Sequence, residues 1–355
     1  MLPTRLAWIS FACGLAAAAC SNSNGSNANG DGGGPPAFTN GVSTLAGSSD
    51  AGKTDGARDI ARFDNPVNVA VGPDGNVYVA DFDNSEIRSV TSDGTVSTIV
   101  SKQGFVRPFG LTFVGSTLYV STDNDDSGAH SLTSGTVWRV DTSAHTATVV
   151  VRDVGRPRGL ATMPDGRIVM SDDLHHVVQI LNPATGAITP LAGAMDQAGF
   201  ADGTAAAARF STPWGVAVRS DGTIVLADFG NNRIRTITPQ GNVATLAGTG
   251  NASFADGSMP QAAFNNPEAI AIAPNGDIFI TDTGNFRVRR ISGNNVDTFA
   301  GNGTGGYLDA DDKLSAQFFG LEGIAVSHDG SLVYVADGNR GEALPFNRVR
   351  QVTTN

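Results

Sequence analysis

The chain has 355 residues, and its 34 acidic against 23 basic side chains give a formal net charge of −11. That balance argues against a nucleic-acid partner, which demands a basic footprint, and against electrostatic docking on anionic lipid; it favours solubility and, weakly, cations. The two cysteines, Cys13 and Cys20, both fall in the first 20 residues, so no disulfide can staple residues 21–355 and their stability has to come from a core.

Residues 1–19 read as a secretory signal peptide: one basic residue, Arg5, then an apolar run with no acidic residue, too short and too rich in small residues for a membrane span. The run ends in Ala17-Ala18-Ala19-Cys20, which resembles a bacterial lipoprotein cleavage box. It departs from that box at Ala17, where leucine is usual, so an ordinary cut near Ala19 stays open. On the lipoprotein reading Cys20 carries the acyl chains, each buried methylene contributing about 0.8 kcal/mol of membrane affinity. Residues 20–37 then form a flexible Gly/Ser/Asn tether with no large apolar side chain until Phe38. The expected location is the cell envelope, lipid-anchored at an outer membrane or cell surface, or secreted if Cys20 is not acylated. Without Arg5 the mature chain has 22 basic residues against 34 acidic, a charge of about −12.

Residues 38–355 are organised around an internal repeat, best seen in Phe264–Ile291. Each copy starts at a proline (Pro66, Pro108, Pro157, Pro213, Pro267), with Leu321 in that position in the sixth. A short apolar strand follows, then a tight turn such as Pro73-Asp74-Gly75 or Pro274-Asn275-Gly276, whose glycine supplies the backbone a hairpin needs. A second strand rich in β-branched and aromatic residues ends in Asp81, Asp172, Asp228, Asp282 or Asp337. A third alternates, as in Arg233-Ile-Arg-Thr-Ile237, and a fourth reads Val243-Ala-Thr-Leu-Ala-Gly248. Spacings run from 42 residues (Pro66 to Pro108) to 56 (Pro157 to Pro213). Four short antiparallel strands in units of this length predict an all-β, six-bladed propeller. Nothing has a 3.6-residue period, which excludes helical solenoids. The sixth copy stops after its third strand, and Val42-Ser-Thr-Leu-Ala-Gly47 matches the missing fourth, so the N-terminal segment is expected to complete the last blade and close the ring.

The repeats resemble the NHL family of six-bladed β-propellers over roughly residues 42–352, most closely in Asp228-Phe-Gly-Asn-Asn-Arg-Ile234 and Asp282-Thr-Gly-Asn-Phe-Arg-Val288. The second copy departs by an inserted loop, Asp123–Ser134, and the third by Asp172-Asp-Leu-His-His-Val-Val178, without the Asn or Arg. The resemblance implies the fold; on activity it is open, because the family includes non-catalytic binding and sensor domains, RNA-binding domains and an amidating lyase, and related propellers include metal-dependent lactonases.

One face carries the long loops between blades and between second and third strands. Three blade-crossing loops share a phrase: Gly199-Phe-Ala-Asp-Gly203, Ser253-Phe-Ala-Asp-Gly257 and Gly305-Gly-Tyr-Leu-Asp309. Recurrence suggests a structural job, with Phe200, Phe254 and Tyr307 plugging the gaps between blades. Function is expected where repeats differ, at the residues following the proline position: Val67, Phe109, Arg158, Trp214, Glu268 and Glu322, at the mouth of the central channel. Phe109, Arg158 and Trp214, with Asp123 and Asp125 of the inserted loop, are the candidate binding residues. Glu268 and Glu322, near Asp282 and Asp337, are the candidate ligands of a divalent cation such as calcium, the alternative being that Glu268 pairs across the channel with Arg158. His175 and His176 are the candidate acid/base residues, or else a solvated loop pair. The expected function is that of a monomeric binding or scaffold module for a protein, peptide or glycan on the loop-rich face. The alternative is a metal-dependent hydrolase or lyase with a cation at the channel mouth.

Overall fold

The computed structural model describes residues 40–355 except Leu132 and Ala343. The expected signal peptide, the tether and Cys20 lie outside these residues. Six antiparallel sheets stand around a central channel as blades, each running outward in chain order from its innermost strand, apart from the outer strands that blades 4, 5 and 6 take from segments ahead of them. Blades 1 to 5 span residues 66–101, 108–151, 157–193, 213–247 and 267–300. Blade 6 takes Gly320–Val326, Leu332–Gly338 and Asn347–Thr353, and its outermost strand is Val42–Ser48. That strand lies antiparallel to Asn347–Thr353, from Val42 opposite Val352 to Ser48 opposite Asn347, so the N-terminal segment closes the ring.

The turns behave as their residues dictate. Gly276 sits at φ +90, a region closed to most side chains, and its N–H bonds the Ala273 carbonyl at 2.9 Å to close the first hairpin of blade 5. Alternate strand residues face the neighbouring blade, so apolar clusters fill the spaces between sheets. Each cluster holds the residue three before the proline position: Phe63, Phe105, Val154, Phe210, Phe264 or Phe318, all buried. These side chains plug the gaps. The expectation that Phe200, Phe254 and Tyr307 do so is wrong, since they are 47%, 43% and 39% exposed. Replacing Phe264 by Ala opens a void between blades 4 and 5 and should cost about 3–5 kcal/mol, read as a lower denaturant midpoint at unchanged m-value.

The crossing loop that leads into a blade also covers that blade's outer edge. Gly203–Thr204 and Gly257–Ser258 add a short fifth strand to blades 4 and 5. Single bridges, Gly56 to Val96 and Ala310 to Val42, do the same for blades 1 and 6. This pairing occupies backbone groups that would otherwise template aggregation.

Candidate functional site

Most polar residues of the repeat are consumed in holding each crossing loop to its blade. In blade 5 the Asp282 carboxylate accepts from the Asn265 N–H (2.8 Å), Asn285 Nδ2 (2.8 Å) and Arg289 Nη1 (2.7 Å). Arg289 Nη2 continues to Asp256 of the shared loop phrase at 2.6 Å and to the Ala255 carbonyl at 2.8 Å. Asp256 in turn accepts from Thr298 on the outermost strand at 3.1 Å. Arg289 and Asp282 are fully buried, and Phe254 lies over the Arg287 and Arg289 guanidinium groups at 4.0 and 4.8 Å. The same clamp is built from Asp228, Arg235 and Asp202 in blade 4, Asp337, Arg350 and Asp309 in blade 6, and Asp81, Arg88 and Asp55 in blade 1. Phe200 and Tyr307 cover the arginines in blades 4 and 6. The phrase is therefore an outer lid on a buried ion pair. Phe254→Ala should cost about 0.5–1 kcal/mol, the scale of an exposed cation–π contact, against the several expected for Phe264.

Blades 2 and 3 improvise. Trp138 stands where the clamp arginine would be, and its Nε1 donates to Thr122 Oγ1 at 2.9 Å. In blade 3, Gln179 takes that register and His175 Nδ1 meets Asp172 Oδ2 at 2.6 Å. His176 Nδ1 accepts the Thr212 N–H at 3.1 Å. Both candidate acid/base histidines thus have local structural partners.

The channel mouth is different, because its charges are not part of the repeat. Arg158 of blade 3 is buried with its guanidinium over the Phe109 ring at 4.1 Å and near Trp214 at 5.6 Å. Its Nη2 donates to Asp123 at 3.1 Å, and its Nε lies 3.8 Å from Asp173. Arg156 stands 3.6 Å from both of those carboxylates, so two arginines and two aspartates form a balanced quartet. The inserted loop thus delivers Asp123 to the mouth, whereas Asp125 accepts from Ser127 and Ala129 within the loop itself. An aromatic arc runs from Phe82 through Phe109 and Trp214 to Phe229, with ring centroids 6.1, 5.6 and 5.1 Å apart.

Glu268 and Glu322 occupy the same register on adjacent blades, both buried. The expected pairing of Glu268 with Arg158 is not what forms. Arg158 is engaged by Asp123 and Asp173, while Arg340, from the loop after the second strand of blade 6, approaches Glu268 at 3.6 Å. Asp282 and Asp337, the expected companions of a cation, are locked in their clamps. Among the described residues no group of three or more His, Cys, Asp or Glu is arranged to hold a metal ion. Burial pushes both glutamate carboxyls well above the ordinary range, Arg340 and Arg158 pulling them back; Glu322 pushes Glu268 further up and Asp83 does the same to Glu322. A carboxyl raised on folding binds more protons in the native state. Its stabilisation is therefore present below the ordinary value of 4.5 and lost as pH rises through the raised one. Glu268→Gln should lose less of its melting point from about pH 5 to about pH 9 than the unaltered protein does, Glu322 still titrating in both.

Several polar atoms here have no partner among the described residues: Glu268 Oε2, Arg158 Nε and Nη1, Arg156 Nε, Asp123 Oδ1 and Asp173 Oδ1. The mouth thus joins candidates named from sequence, Phe109, Asp123, Arg158, Trp214, Glu268 and Glu322, and leaves out Asp125, His175 and His176. Arg156, Arg340, Phe82 and Phe229 were missed. Phe82 and Phe229 come directly after the aspartate that closes a second strand, a register where the copies differ, so the repeat alignment could have found them. The channel's opposite end opens as a cavity of about 580 Å³ between the inner strands, lined by Asn68, Thr112 and His328 among mostly apolar residues.

Residues 44–254 match the Teneurin NHL domain, and residues 264–291 match the NHL repeat. The chain is 27% identical over 288 residues to Protein SUPPRESSOR OF QUENCHING 1, chloroplastic, of Arabidopsis thaliana, covering 70% of this chain and 27% of that one. It is 26% identical over 297 residues to NHL repeat-containing protein 2 of Bos taurus, covering 68% of this chain and 41% of that one. It therefore spans well under half the length of these relatives. Among solved structures it is similar to an auxiliary nutrient binding protein from Bacteroides ovatus, with TM-score 0.68 and 19% identity over 88% of this chain and 76% of the other, a likeness of fold. With six blades, four of them clamped, and with a match that takes in residues 44–254, this chain belongs to the NHL-repeat family of β-propellers.

Proposed function

We propose that the protein is a monomeric binding module that takes a peptide, protein or glycan ligand on its loop-rich face, centred on the channel mouth. One observation carries this reading. Among the described residues the clamps leave only Arg235 Nε and Arg289 Nε buried without a partner, whereas the non-repeating charges at the mouth leave six such atoms, carboxylate oxygens among them. A buried polar atom without a partner costs roughly 1–3 kcal/mol, and a fold keeps such a group when something else meets it. The aromatic arc beside these groups offers flat apolar surface next to directional polar atoms, the usual make-up of a ligand site. That a fold neighbour is named an auxiliary nutrient binding protein supports a binding role. Export, and anchoring through Cys20, are part of this proposal and are tested separately: intact-mass analysis of membrane-extracted protein should show an acylated Cys20, and Cys20→Ser should release the protein.

The test uses glycan and peptide arrays probed with the full-length protein. Trp214→Ala, and excision of 124–133 from the inserted loop, should each weaken the best array signal about tenfold or more, the scale of losing an aromatic anchor. Signals unchanged in both variants would remove this face as the site. The hydrolase or lyase reading has less behind it. Its proposed bases, His175 and His176, are engaged by Asp172 and Thr212, and the aspartates that would complete a cation site around Glu268 and Glu322 are already tied into clamps.

A further inference from the structure

The charges at the channel mouth do not balance evenly. Arg156 and Arg158 face Asp123 and Asp173, two against two. On the other side Glu268 and Glu322 have a single guanidinium within ion-pair distance, Arg340, at 3.6 Å from Glu268, with Arg158 acting only from further off. Asp83 adds a further acidic influence on Glu322. Glu268 Oε2 is buried and has no partner, and Glu322 has no ion pair among the described residues. An uncompensated buried charge costs several kcal/mol, so in the unliganded protein the excess is met by a proton. The raised carboxyls agree with that. A proton held this way marks the place of a cation.

Which cation follows from the donor set. Calcium takes six to eight oxygens, and the two nearby aspartates are committed to Arg289 and Arg350. An ammonium needs only two or three acceptors, and it gains from an aromatic wall. Trp214 provides one: it occupies the register of Glu268 on the neighbouring blade, stacks on Phe229, and stays partly exposed while Glu268 is 2% exposed. The two inner strands run so close here that a Cβ on Gly215 would lie 2.5 Å from the Glu268 carbonyl oxygen. A buried carboxylate beside a partly exposed indole favours a thin alkyl stem over a sugar ring.

We propose that Glu268 and Glu322, walled by Trp214, form a recognition pocket for the alkylammonium group of a lysine side chain on a peptide ligand, with Arg340 holding the place when the ligand is absent. The proposal rests on the loop-rich face being the ligand-binding face. Arg340 suits the place-holder role because its contact with Glu268 is long and its side chain is 29% exposed, while its backbone is fixed by a 3.0 Å bond from its N–H to Asn65 Oδ1. Lysine would displace the guanidinium and the proton together.

The test titrates the full-length protein with Nα-acetyl-lysine amide, following tryptophan fluorescence, with Trp138→Phe to isolate the Trp214 signal, and heat in two buffers of different ionisation enthalpy. Saturable binding is expected, with proton release seen as a buffer-dependent heat. Nα-acetyl-norleucine amide, of similar shape without the charge, should not bind. Glu322→Gln and Glu268→Gln should weaken binding about tenfold or more, the scale of a lost charge-assisted bond, and Arg340→Met should strengthen it by removing the competitor. A purely structural pair would not give that strengthening, and Arg340→Met with Glu322→Gln decides the matter if Glu268→Gln fails to fold. Equal binding of the lysine and norleucine probes, or of neither, overturns the inference; if the array signals persist, the binding-module reading survives it. Glucosamine binding as tightly as the lysine probe overturns the peptide assignment. Calcium chloride bound with the same dependence on Glu322 overturns the ammonium class.

Discussion

Arg289→Met should destabilise the propeller by about 3–5 kcal/mol, the cost of removing one partner from a buried ion pair. Methionine fills much of the arginine's stem volume, so the loss reports the charge rather than a cavity. The fully buried Asp282 and the loop's Asp256 would both be left facing an apolar side chain, and the carbonyls of Ala255 and Ala263 would each lose one of two donors. The control is Arg152→Met, which breaks an exposed pair with Asp126 at 2.5 Å and should cost far less despite its shorter distance, because water screens it. Urea unfolding of both variants checks the contrast. Equal effects would mean that water reaches the clamp. A double replacement, Arg289→Met with Asp282→Leu, should recover part of the loss because no charge is then left buried alone.

The clamp also shows what a single sequence can disclose. Asp282 stands seven residues before Arg289 across a hairpin, a spacing shared by blades 1 and 4 and lengthened to 13 in blade 6, so pairing of the closing aspartate with a following arginine was legible. The second half was not. Asp256 reaches Arg289 from 33 residues upstream, and nothing local ties the loop phrase to the third strand. For that reason Phe254 and Phe264 could not be ranked by burial: both are phenylalanines near a turn, and only the three-dimensional register puts one over a guanidinium and the other between sheets.

The channel mouth divides the same way. Equivalent positions in six copies converge on the axis whatever residue they hold, so Phe109, Arg158, Trp214, Glu268 and Glu322 could be named from alignment of the repeats. Their partners could not. Asp123 and Arg340 come from loops that break the repeat, and these decide that Arg158 is neutralised beside blade 2 while Glu268 is not. A channel read from its ring of six would hold one arginine against two glutamates. The mouth's ion pairs join three arginines to three carboxylates, and Glu322, with no ion pair among the described residues, leaves the negative charge in excess at Glu268 and Glu322.

Deleting residues 40–48 should abolish cooperative folding of the monomer. The deletion strips blade 6 of its outermost strand and takes Val42, Leu45 and Ala46 out of the clusters on both sides of that blade. Core truncations of this kind cost about 2–5 kcal/mol per large aliphatic side chain, against a total stability of roughly 5–15 kcal/mol. The loss also reaches the blade 6 clamp, because Asp309 bonds the Thr44 N–H at 3.0 Å as well as Arg350. The exposed edge of Asn347–Thr353 would then be free to pair with any strand offered to it. The decisive measurement is complementation. A synthetic peptide of residues 40–49 added to the truncated chain should restore a single unfolding transition whose midpoint rises with peptide concentration, as mass action requires. A truncated chain that melts like the intact one without peptide would mean that the ring is held by its five continuous blades, and that the strand across the joint contributes only its edge.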